Sequence, residues 1–178
     1  DLATAHAARL VERYRECLAG ILERRDVGEQ RPRVDVDGMA ADGLKVIVAD
    51  YARDGAEQTA AEIRRSGGEA TAVHVDVGNQ ESVGAMMSQA IAKYGSIDYI
   101  FNGAGIMPRT PVVDMPEEEW DRVLRINLKG TFLCSQAAAR HMIPKKQGRI
   151  LGIASGRGVA GQARAAHYAA RLKASKAP

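Results

Sequence analysis

Two hydroxyls set the chemistry to look for. Ser155 closes a short apolar run, Ile150, Leu151, Ile153 and Ala154, and Tyr168 follows thirteen positions later near the start of an Ala-rich stretch. The run reads as a strand buried in a parallel sheet, and the Ala-rich tail as a helix. Between them lies the glycine-rich GRGVAG of residues 156–161. Such a loop can fold back over a strand end and bring both hydroxyls to one spot, a layout for binding and protonating a carbonyl oxygen. The plain alternative is a strand-end cap at Ser155 and an ordinary half-buried Tyr168.

The elements that would position these groups alternate along the chain from Met39. Lys45 to Asp50 predicts a buried strand, and Ala56 to Ser66 a helix stopped by Gly67 and Gly68. A second strand is expected over Ala70 to Val77. Asn79 can cap the next helix, whose Val83, Met86, Met87, Ala90 and Ile91 share a face, and Gly95 ends it. Ile97 to Phe101 reads as a third strand. Pro116 and the acids Glu117, Glu118 and Glu119 suit a helix first turn; that helix is expected over 120–142, with Pro144 terminating it. Strand and helix in turn argue for an α/β, Rossmann-like three-layer fold with a parallel sheet. Ligands bind such sheets beyond the carboxyl ends of the strands. Asp50 ends the first strand, where a carboxylate can take both ribose hydroxyls of a dinucleotide and would repel a 2′-phosphate, favouring NAD over NADP. It also suits an aspartate that starts a turn.

Strand, Ser155, glycine loop and Tyr168 together resemble the active-site segment of the short-chain dehydrogenase/reductase family. In that family the serine orients the substrate oxygen and the tyrosine transfers the proton. Asp76 and Val77 resemble the pair that holds the adenine ring, with a loop cap as the alternative. Asn102, Gly103, Ala104 and Gly105 resemble the family's Asn-Asn-Ala-Gly signature, with Gly103 in place of its second asparagine; a tight turn is the alternative. Asn127, among Val123, Leu124, Leu128 and Thr131, matches the asparagine that holds a water in the proton relay, or is a satisfied core amide. The similarity covers roughly residues 38–168. It implies hydride transfer between NAD(H) and a small secondary alcohol or ketone, with Tyr168 as acid/base.

The departures are equally specific. The family places a lysine four positions after the tyrosine, where it lowers the phenol pKa and holds the nicotinamide ribose; here that position is Leu172. A free tyrosine has a pKa of about 10, so only about one in a thousand is phenolate at neutral pH. Lys173 is the nearest lysine and fills the third catalytic place by default, yet it lies about 140° around a regular helix from Tyr168. The family's first strand with its phosphate-binding glycine loop, and the strands after the tyrosine helix, have no counterpart in this sequence. It therefore reads as truncated at both ends, its sheet incomplete, with edges left for association. The GRGVAG loop spells G-x-G-x-x-G, but no strand with an acidic residue follows, so it is assigned no phosphate. The alternative function is a non-catalytic relative that acts as a homo-oligomer through the 120–142 helix.

Composition excludes other classes. The 178 residues are 46% hydrophobic and 26% charged with a net charge of +3, which does not argue for nucleic acid or membrane partners. Cys17 and Cys134 read as reduced core thiols of a cytoplasmic protein, and the four histidines lack metal-ligand spacing. Residues 1–37 divide from the 38–178 dehydrogenase-like domain as an extension: an amphipathic helix near Thr4 to Arg25, then a polar linker.

Overall fold

The computed structural model describes residues 43–153, 161 and 163–174. The 1–37 extension, Ser155 and nearly all of the glycine loop lie outside the described residues. Strand β1 (Lys45–Asp50) is the expected one, and the side chains of β1 alternate in what they meet. Val46 and Val48 pack with Ala60 and Ile63 of helix α1 (Arg53–Arg65), whereas Ile47 joins the core built around helix α2 (Gln80–Tyr94). Strand β2 (Glu69–His74) pairs with β1 in parallel, Lys45 opposite Glu69 and Asp50 opposite His74, and follows the same alternation. Its Ala70 and Ala72 face α1, and Val73 faces α2. A strand period of two therefore places one helix on each face, the three layers expected from sequence.

Strand β3 (Tyr99–Asn102) pairs in parallel with β4 (Arg149–Gly152), from Tyr99 opposite Arg149 to Asn102 opposite Gly152. The described strands thus form two parallel pairs, β1–β2 and β3–β4. Asn79 caps α2 as expected, its side-chain oxygen accepting from Ser82 N at 2.9 Å, and Gly95 ends the helix in the left-handed region. Val83, Met86, Met87 and Ala90 of α2 bury against Leu133, Cys134, Ala138 and Met142. Burial pushes the Cys134 thiol up to about 11, so it stays protonated.

Two expectations need correction. Strand β2 is shorter than Ala70 to Val77, because after Val75 the chain turns: Asp76 accepts from Asn79 N through its carbonyl and from Gly78 N through its carboxylate. The single 120–142 helix is three pieces: α3 (Glu117–Leu124), a π-helical turn (Arg125–Lys129) and α4 (Gly130–Lys145). Pro144 does not terminate it. Its fixed φ suits a last turn and costs only one hydrogen bond there, and the helix stops at Lys146, which is left-handed with φ 52°. The last described helix, α5 (Ala166–Ala174), carries Tyr168.

Candidate active site

The π-helical turn joins several of the candidate residues. A π turn widens the helix by one residue, and such bulges recur at functional sites. Here the Gly130 amide donates to the Arg125 carbonyl, five residues back. Asn127, inside that turn, is fully buried. Its Nδ2 donates to the Ile106 carbonyl at 2.7 Å and its Oδ1 accepts from Ile106 N at 2.9 Å. The side chain therefore latches the loop that leaves β3. Its own carbonyl accepts from the Thr131 hydroxyl at 2.9 Å. Asn127 is thus a satisfied core amide.

The loop begins with Asn102, whose Nδ2 donates to Ser135 Oγ at 3.0 Å and to the Leu151 carbonyl at 3.2 Å, stitching β3 to α4 and β4. Gly103, Ala104 and Gly105 follow, all exposed. A Cβ on Gly103 would sit 3.0 Å from the Phe101 ring, so glycine lets the backbone turn there against an aromatic edge.

The same turn grips the end of β2. Arg125 donates through Nη1 to Asp76 Oδ2 at 2.8 Å and Oδ1 at 3.0 Å. This charge-assisted pair holds the Asp76 carboxyl below the usual carboxylate range, against a smaller opposing push from burial. Gly78 leaves room for the guanidinium, since a Cβ there would collide with Arg125. Val77 packs against Gly130, where a Cβ would come within 2.7 Å of Val77 Cγ2. Asp76 and Val77 are thus fixed, although the carboxylate is already engaged. Asp50 ends β1 with an exposed side chain; its Oδ1 accepts from Ala52 N at 2.9 Å, the turn-starting alternative.

Helix α5, which carries Tyr168, packs against α3 and the π turn that holds Asn127. A polar brace sets its start. His167 is fully buried, its Nε2 lies 3.1 Å from Glu119 Oε1, and its Nδ1 accepts from Tyr168 N at 2.7 Å. With Nδ1 accepting, the Nε2 hydrogen points at the carboxylate. Glu119 also accepts from the Thr110 hydroxyl at 3.0 Å, and the Thr110 amide donates to the Arg164 carbonyl at 3.0 Å. The Glu119 carboxyl is held low, first by the Thr110 hydrogen bond and then by His167.

One group that sequence reasoning missed is Arg171. Its Cζ lies 5.1 Å from the centroid of the Tyr168 ring, and the side chain is only 7% exposed. The available signal was its spacing, three residues beyond the tyrosine on the same helical face. Lys173 belongs to α5 with its side chain outside the described residues, and Ser155 falls outside them altogether. No cluster of metal-ligating side chains occurs among the described residues, and none of their helices is long and apolar enough to cross a membrane.

Comparison with known proteins gives a consistent picture. The family model described as short chain dehydrogenase matches residues 35–177. The (2S)-[(R)-hydroxy(phenyl)methyl]succinyl-CoA dehydrogenase subunit BbsD of Thauera aromatica is 44% identical over 80 residues, 45% of this chain and 32% of that protein. The short-chain reductase protein NovJ of Streptomyces niveus is 40% identical over 126 residues, 70% of this chain and 48% of that protein. The crystal structure of a short chain dehydrogenase from Mycobacterium smegmatis superposes with a TM-score of 0.76 at 33% identity, covering 82% of this chain and 62% of that one. The chain spans about a third to a half of the length of the curated relatives it matches.

Proposed function

The chain belongs to the short-chain dehydrogenase/reductase family, and from that premise we propose that it transfers hydride between NAD(H) and a secondary alcohol or ketone. One observation carries the reading. A single π turn joins the end of β2 through Arg125 and Gly130, the loop after β3 through Asn127, and the tyrosine helix by packing. Segments far apart in sequence are thereby tied to one turn, which supports the reading.

A nicotinamide dinucleotide suits the residues present. Asp50 keeps one carboxylate oxygen free of the turn bond for a ribose hydroxyl, which supports NAD over NADP. Asp76 and Val77 would take the adenine, and the small residues of 102–105 would let backbone lie close to the cofactor. When bound, that cofactor supplies or accepts the hydride. The chain's own part is the proton: Tyr168 Oη gives it to the substrate oxygen in reduction and takes it in oxidation. Ser155 would anchor that oxygen, and Asn127 would hold the relay in place through the loop it latches. Lys173 is retained only as the nearest lysine in the sequence. A reducing compartment such as the cytoplasm suits the buried free thiol of Cys134.

NADH absorbance followed over a panel of polyols, sugars and ketones tests this. Turnover in the unmodified chain that falls at least about a hundredfold in Tyr168→Phe is expected. A folded chain with no turnover, or one indifferent to Tyr168→Phe, would overturn it. A second reading, association without catalysis, is favoured by Phe132, which leaves 58% of its surface exposed on α4, and by the partly exposed Trp120 on α3. Sedimentation of the unmodified chain and of Phe132→Ser separates the two.

A further inference from the structure

We propose that Arg171, stacked on the Tyr168 ring, is the fixed positive charge that supports Tyr168 in proton transfer. The inference rests on the oxidoreductase reading above and deepens it by naming the cation. Arg171 lies three residues beyond Tyr168, one turn along the same face of α5. Its Cζ is 5.1 Å from the ring centroid. The side chain is buried, its Nε has no hydrogen-bond partner, and none of the ion pairs among the described residues includes it. A buried cation without a carboxylate is costly, and the ring face is the compensation that the structure shows.

That compensation grows during the reaction. A neutral phenol offers the guanidinium only the quadrupole of its ring. Once the Oη proton has passed to the substrate oxygen, the ring carries a full negative charge spread beneath Arg171, and the attraction becomes ion to ion. An interaction stronger after transfer than before it lowers the barrier and leaves substrate binding alone. Arg171 carries no proton itself, because guanidinium does not deprotonate in proteins. The phenolate recovers its proton from solvent. The neighbouring positions offer no better cation: Leu172 is uncharged, and five positions of a regular helix separate residues 168 and 173 by about 140°.

The test compares the unmodified chain with Arg171→Met, Arg171→Lys, Leu172→Lys and the double variant Arg171→Met/Leu172→Lys in the reducing direction, using NADH and the ketones of the panel, with melting temperature as the folding control. Arg171→Met is expected to lower kcat roughly 5- to 30-fold with little change in KM, the span that corresponds to about 1–2 kcal/mol of cation–ring attraction. Arg171→Lys should keep most of the rate. A lysine at 172 should restore the double variant, which a purely structural arginine does not predict. If Arg171→Met loses its fold, Arg171→Gln takes its place as the uncharged polar variant. Equal kcat in the unmodified and uncharged chains, or no recovery in the double variant, overturns the proposal while the oxidoreductase reading stands. An inactive unmodified chain made active by Leu172→Lys also overturns it and keeps that reading. Inactivity in both overturns the two together.

Discussion

At the scale of single residues, Asn127 is the group with most at stake. It satisfies the part-buried backbone N–H and C=O of Ile106, so Asn127→Leu strands both. A loss of roughly 2–4 kcal/mol in urea unfolding is expected; Asn127→Asp keeps only the bond from Ile106 N, sets a buried carboxylate against the Ile106 carbonyl and should cost at least as much at neutral pH. The sequence showed that a polar amide on an apolar helix stripe needs a partner; it did not show which, because the partner is backbone 21 residues away. Arg171 was hidden for a related reason. An arginine in a helix usually reaches solvent, and only packing of α5 on α3 and the π turn buries this one. Asp76 makes a prediction in pH. Its folded pKa lies below the unfolded value, so the stability it contributes is complete above the unfolded pKa, about 4, and is lost as pH falls through the folded value. The pair is partly solvent-screened, so the effect is small, about 1 kcal/mol or less. Urea midpoints at pH 6 and pH 3 should differ less for Asp76→Asn than for the unmodified chain.

At the scale of elements, the ends of helices were legible where a side chain or a glycine marks them. Asn79 before α2 and Gly95 after it did so, and Asn79→Ala should cost about 1 kcal/mol in the same unfolding measurement. The break in the 117–145 helix was not legible. No proline or glycine marks the start of the π turn at Arg125; the interruption serves tertiary bonds, Arg125 to Asp76 and Asn127 to Ile106. Gly130 ends it because Val77 packs there too closely for a side chain. Gly130→Ala should therefore destabilise by about 1–3 kcal/mol, although alanine is the better helix former. A stability gain in Gly130→Ala would contradict the close packing.

At the scale of the whole molecule, the described strands form two parallel pairs, and the segments after β2 and β3 are bonded to one turn. Fold class was legible because period-two strands alternate with period-3.6 helices, and the family because short motifs sit at the strand ends. Strand pairing was less so, since β2 stops where the Asp76 turn begins and not where its apolar run does. The proposed function requires these strand ends to hold a nicotinamide dinucleotide. Calorimetric titration of the unmodified chain with NAD and with NADP tests it most directly. Saturable NAD binding, weaker NADP binding, and loss of NAD affinity in Asp50→Ala are expected. No heat of binding from NAD with the chain folded, or NAD binding unchanged by Asp50→Ala, would contradict it.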